Sequence, residues 1–89
     1  MARPLADEVL DDEVAVSLAR AMAAANEKAR AAGVDVAETL ISITQYAIED
    51  EAVWRINYGP KNYVGQRGGD LIVEVSAKDG TIKRVLRGQ

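Results

Sequence analysis

The sequence predicts an α+β domain: one long N-terminal helix packed on a four-stranded antiparallel meander, in the order α-β-β-β-β. Three observations carry that expectation. Apolar side chains recur every three or four residues through an alanine-rich stretch near the N-terminus. From Thr39 onward the period changes to two. Acidic, glycine and proline clusters then interrupt the alternation at short intervals, which favours strands that pair with their neighbours in sequence.

Residues 1–10 read as a flexible acidic arm. Pro4 and the carboxylates of Asp7 and Glu8 work against regular structure, while Leu5, Val9 and Leu10 offer some anchorage. Residues 11–89 then form the single domain. Asp11 or Asp12 stands where a carboxylate accepts hydrogen bonds from the first free N–H groups of a helix, and Glu13 complements the helix dipole. The helix is expected from about Asp12 to Ala32, with Val14, Leu18, Met22, Ala25, Ala29 and Ala32 as its buried stripe. Arg30 falls in the last turn and Gly33 supplies a left-handed C-terminal cap. About 21 residues at ~1.5 Å each span roughly 30 Å. A stripe made largely of alanine lets such a helix sit close to a sheet.

The first strand covers Thr39 to Ile48, with Leu40, Ser42, Thr44, Tyr46 and Ile48 on one face and Ile41, Ile43, Gln45 and Ala47 on the other. Glu49-Asp50-Glu51 turns the chain. Ala52 to Tyr58 is the second strand, with Trp54, Ile56 and Tyr58 opposed to Val53, Arg55 and Asn57. A loop from Gly59 to Gly69 follows, marked by four glycines and one proline. Leu71 to Ser76 is the third strand, with Leu71, Val73 and Val75 toward the core. Ala77-Lys78-Asp79-Gly80 closes a hairpin in which Gly80 provides positive φ. In the fourth strand, Thr81 to Leu86, strict alternation sets Ile82, Arg84 and Leu86 against Thr81, Lys83 and Val85. The helix covers one face of the sheet, and on the other Arg55, Glu74 and Lys83 are placed to form a cross-strand charge ladder.

Composition narrows the chemistry. The 89 residues are 48% hydrophobic and 28% charged, which suits one folded domain. There is no cysteine, hence no disulfide framework and no thiolate chemistry, and the absence fits a reducing compartment. There is no histidine, the commonest general acid–base and metal ligand. The N-terminal stretch lacks the apolar core of a signal peptide, and no apolar run approaches the ~20 residues of a membrane span. The chain as it stands is therefore expected to be a cytoplasmic protein without membrane contact. Net charge is −3, unevenly spread. Residues 1–51 carry 11 acidic and 4 basic side chains, and residues 52–89 carry 3 and 7.

No catalytic constellation emerges. Ser17, Ser42 and Ser76 have no histidine to activate them, and Ser76 with Lys78 belongs to a hairpin. Asp7-Glu8, Asp11-Asp12-Glu13 and Glu49-Asp50-Glu51 fit an arm, a helix start and a turn rather than a metal site, and no calcium-loop spacing is present. Gly65-Gln66-Arg67-Gly68-Gly69 precedes a strand, whereas phosphate loops precede a helix. Lys78, Lys83, Arg84 and Arg87 are basic, but the chain is acidic overall and this strand has no aromatic for base stacking, so nucleic acid is not the expected partner. The sequence thus points to no enzyme and no cofactor. Tyr58, Lys61, Asn62, Tyr63 and Arg67, on and after the second strand, combine interface anchors with polar groups and are the expected partner-binding residues.

The run Trp54-Arg55-Ile56-Asn57-Tyr58, then Gly68-Gly69-Asp70-Leu71-Ile72-Val73-Glu74-Val75, then Asp79-Gly80-Thr81-Ile82, preceded by an alanine-rich helix, resembles small bacterial PepSY domains. It is also similar to short immunity proteins with a nuclear-transport-factor-like fold. The resemblance spans about residues 13–87. In the hairpin Ser76 stands where the PepSY pattern has an acidic residue. What the resemblance implies is a cystatin-like topology and a role as an inhibitor or immunity-type protein that occludes a partner such as a peptidase or toxin. Neither family has a catalytic residue to carry over. The alternative expectation is a self-associating structural module, with a homodimer formed through an open sheet face or an unpaired edge.

Overall fold

The computed structural model of the chain describes residues 9–60 and 70–87. Helix α1 runs Glu13–Ala31. A single 3₁₀ turn at Val36–Glu38 leads into four strands: β1 Thr39–Ile48, β2 Glu51–Pro60, β3 Leu71–Ser76 and β4 Ile82–Arg87. They form one sheet in the order β1-β2-β3-β4, every neighbouring pair antiparallel. The α+β meander expected from the sequence is the observed architecture.

The helix ends are set by the residues singled out for them. The Asp12 carboxylate accepts hydrogen bonds from the N–H groups of Val14 (2.9 Å) and Ala15 (3.0 Å). At the other end Gly33 adopts φ 89°, so that its N–H reaches the Arg30 carbonyl (3.0 Å) and the Val34 N–H reaches that of Ala29 (2.9 Å). These two bonds are a Schellman cap, which needs a residue at ease in the left-handed region. Val9 and Leu10 lie in a helical turn that ends when the Asp12 N–H meets the Val9 carbonyl (3.1 Å). The rest of the acidic arm lies outside the described residues.

The buried stripe is Ala21, Ala25 and Ala29, flanked by partly buried Leu18 and Met22. Val14 and Ala32 were expected to complete it, yet both are exposed. Length explains the difference. Nineteen helical residues span about 28 Å, whereas the six of β3 span about 20 Å. The helix packs chiefly on β3, with further contacts to β2, and its terminal turns extend past the ends of β3. Beneath the alanines sit Trp54, Ile56 and Tyr58 of β2 and Leu71, Val73 and Val75 of β3, with Ile82 packed beside them.

Two departures from simple alternation bear on function. The β1–β2 connection has only two residues, Glu49 and Asp50, both at positive φ (51° and 69°), and the strands pair from Ile48↔Glu51 outward. That is the primed turn whose twist suits a hairpin. β2 also continues through Gly59 and Pro60, beyond the Tyr58 limit expected from the sequence. The second departure is a bulge in β4. Val75 pairs with Ile82 and Glu74 with Arg84, so Lys83 is an extra residue. The expected set of Ile82, Arg84 and Leu86 on one face is therefore divided. Ile82 packs on the core under the helix, while Arg84 and Leu86 share the opposite face with Glu74 and Ile72.

Candidate functional site

Of the expected contact residues, Tyr58 belongs to the core. Its side chain is only 1% exposed, and its hydroxyl donates to Asn26 Oδ1 at 2.6 Å. Burial pushes its pKa up to about 12, with the nearby Arg30 charge opposing. Its position on β2 explains the correction: Tyr58 lies on the same face as Trp54 and Ile56, which is the face the helix covers. Lys61, Asn62, Tyr63 and Arg67 lie outside the described residues. Ser17 is structural. Its hydroxyl accepts from the Trp54 indole N–H (2.9 Å) and donates to the Ala77 carbonyl (2.7 Å), tying helix, β2 and the β3–β4 turn together. Ser76 donates to Glu51 Oε2 (3.0 Å) and accepts from the Lys78 N–H (3.1 Å).

The helix-free face of the sheet is where charge and burial meet. Register aligns Thr44, Arg55, Glu74 and Arg84 in one row across all four strands. The next row holds Tyr46, Val53 and Ser76, and the row on the other side holds Ser42, Asn57, Ile72 and Leu86. Glu74 is 1% exposed, although it lies on the face away from the helix. Its carboxylate accepts from Arg84 Nε at 2.9 Å and Nη2 at 3.3 Å, a bidentate pair, and from the Tyr46 hydroxyl. Arg55 Nε stands 3.9 Å away on the other flank. The two arginines remain about half exposed, at 55% and 43%. Val53 and Ser76 are buried on this same face, while the side chains of Tyr46 and the arginines lie across it.

Electrostatics follow that geometry. The Arg84 guanidinium, helped by the Tyr46 hydroxyl and the Arg55 charge, holds the Glu74 carboxyl below the usual carboxylate range against the opposing pull of burial. The hydrogen bond that the Tyr46 phenol donates to Glu74 raises its own pKa, with burial and the charge of the carboxylate acting in the same direction. The expected ladder is thus present with one member exchanged. Arg84, not Lys83, completes Arg55–Glu74. The bulge turns Lys83 toward Glu51, 3.0 Å away, and that pair lowers the Glu51 pKa. Tyr46 and Arg84 were the members missed. Alternation already put Tyr46 on the face of Arg55's partner Thr44, but nothing in the sequence marks the bulge that brings Arg84 across from Glu74.

Two surface hollows, of about 440 and 350 Å³, lie at the end of the sheet near Ala77 and Lys78. One is lined by Asp50, Glu51 and Ala52, the other by Glu13, Ser17 and Arg20. Neither is lined by a residue of the buried core. Among the described residues no cluster of metal-ligating side chains occurs, and no helix is long and apolar enough to cross a membrane. None of the family models, curated proteins or solved structures compared with this chain matches it.

Proposed function

We propose that the chain is a non-catalytic protein-binding module that occludes an acidic segment of a partner protein with the helix-free face of its sheet. The observation that supports it best is the fixed pair of arginines. Glu74 is sunk beneath the surface and holds Arg84 bidentately, and Arg55 stands 3.9 Å from the same carboxylate on its other flank, both arginines remaining about half exposed. Binding loses affinity to the ordering of long side chains, and arginines already held in place lose less. Tyrosine and arginine are also the residues that anchor protein interfaces. Tyr46 lies beside them, and half-buried Ile72 and Leu86 supply apolar surface in the adjacent row. Lys83 is paired with Glu51 on this face, whereas half-exposed Arg55 and Arg84 share the one buried carboxylate of Glu74, so their row carries a net positive charge in a chain of net charge −3, which favours an acidic partner. The resemblance to propeptide and immunity domains is consistent with inhibition of a peptidase or toxin.

The test uses wild type and Arg55→Ala as baits for lysate of the source cells. Arg55 is the exchangeable member because its contact with Glu74 is long and half exposed. One stoichiometric protein, held by wild type, released by salt and bound at least tenfold more weakly by Arg55→Ala, is the expected result. A partner retained equally by both baits refutes the assignment of this face.

A further inference from the structure

We propose that β1 pairs antiparallel with β1 of a second copy of this chain, about a two-fold axis at Thr44. The two four-stranded sheets then join into one of eight. This concerns the sheet edge, a different surface from the arginine row, and it stands whether or not that row binds a partner.

The two edges of the sheet are unlike. β4 carries Lys83, Arg84 and Arg87 and is interrupted by the bulge at Lys83. Charges and bulges are the devices that keep an edge strand from pairing with another chain. β1 has neither. Its ten residues, Thr39–Ile48, include no charge, proline or glycine, and they pair with β2 without a break in register. Leu40 and Ile48 on one face and Ile41 and Ile43 on the other are exposed, because the helix lies over β2 and β3. The backbone is ready as well. A two-residue turn closes on a hydrogen-bonded pair, here Ile48 and Glu51, and such pairs alternate along an antiparallel ladder. Even-numbered residues of β1 therefore bond to β2, while Ile41, Ile43, Gln45 and Ala47 direct their N–H and C=O groups away from the sheet.

The occupant is a second copy because the strand is complementary to itself. An axis at Thr44, perpendicular to the sheet, sets Thr44 against Thr44 of the second copy, Leu40 against Ile48, Ile41 against Ala47 and Ser42 against Tyr46. Leu40 with Ile48 and Ile41 with Ala47 bring apolar groups together, the two Thr44 residues meet each other, Ile43 faces Gln45, and no charges come opposite one another. Pairing of β1 with β4 of another copy would match a neutral strand to a cationic, bulged one and would propagate as a filament, whereas the two-fold closes. The axis also keeps both helices on one side. The two arginine rows consequently lie on the other side of a single continuous sheet.

Sedimentation across a concentration series, with wild type beside Thr44→Lys, tests the pairing. Thr44 is exposed and lies opposite Arg55, so the new lysine adds one like-charge contact within the monomer, and thermal unfolding at low concentration verifies that the variant remains folded. At the axis it sets two like charges opposite one another. The expected result is a wild-type dimer and a monomeric Thr44→Lys. A wild type that stays monomeric at its highest soluble concentration, or a variant that still dimerises, overturns the proposal. The chain has no cysteine, so Thr44→Cys reads the register directly. Thr44 faces its counterpart in a non-hydrogen-bonded pair, whose Cα separation of roughly 4.5 Å suits a disulfide. A reducible covalent dimer is expected from Thr44→Cys and none from Val85→Cys on the opposite edge, and the reverse pattern overturns the proposal.

Discussion

Replacing Glu74 with glutamine isolates the charge at the centre of the helix-free face. The amide keeps the shape of the side chain and one acceptor oxygen, so the bond from Tyr46 can persist. It cannot neutralise Arg84, and it points N–H donors at a cation. A hydrogen bond to a charged group contributes about 1.5–3 kcal/mol. Arg84 and Arg55 are 55% and 43% exposed, so water screens them, and the lower end, about 1.5 kcal/mol, is the expected loss at neutral pH. In a domain of this size that lowers Tm by about 6–12 °C. The pH dependence has a definite sign. The folded carboxyl titrates below its unfolded value because of Arg84, Tyr46 and Arg55. Its contribution is therefore complete above the unfolded pKa of about 4.3 and is lost as pH falls through the folded one. Urea unfolding followed by Trp54 fluorescence at a series of pH values provides the measurement. The gap between wild type and Glu74→Gln should be constant from pH 7 to about pH 5 and should close below about pH 4. Glu51 and Asp79 also titrate low, but they are common to both proteins and cancel in the difference. A variant as stable as wild type at pH 7, or a gap that does not narrow in acid, refutes the account of Glu74 as a buried, paired carboxylate.

Two further substitutions test local structure. Glu49→Asn with Asp50→Gly places residues suited to the left-handed region where φ is 51° and 69°, and should raise unfolding stability by about 1 kcal/mol in a urea titration. Ser17→Ala removes the partner of the Trp54 indole and the donor to the Ala77 carbonyl, so a loss of about 1–3 kcal/mol is expected, with a shift in Trp54 emission.

Elements governed by local rules were legible in the sequence. The sequence narrows the helix start to Asp11 or Asp12 and its end to Gly33, because capping depends on a few neighbouring atoms, and the core faces of β2 and β3 follow from period two. What escaped was set by contacts between elements. Val14 and Tyr58 show the two directions of error. A valine at helical spacing is exposed because the helix outruns β3, its main packing partner, and a tyrosine expected as a surface anchor is buried where Asn26 on the helix satisfies its hydroxyl. The bulge is the most consequential omission. One unpaired residue exchanged Arg84 for Lys83 beside Glu74 and sent Lys83 to Glu51, yet a one-residue insertion leaves no mark in composition or periodicity.

The proposed binding role gives a reason for a carboxylate at position 74 that fold stability alone does not supply. A buried ion pair seldom stabilises a fold more than apolar side chains of the same volume would, since desolvation offsets the attraction. The rows on either side show what the apolar solution looks like here: Val53 is fully buried one row away, and Ile72 is half-buried on the other side. An aliphatic residue at position 74 would fit that pattern and leave Arg55 and Arg84 free to move. The carboxylate instead binds Arg84 at 2.9 Å and keeps Arg55 within 3.9 Å on the other flank, with both side chains about half exposed. Removing Arg55 costs little in the folded monomer and much in affinity if the row exists to meet a partner. Pairing of β1 with a second copy strengthens the same logic, because it sets two such rows on one side of a continuous sheet, where an acidic segment long enough to reach both would be held by four arginines rather than two.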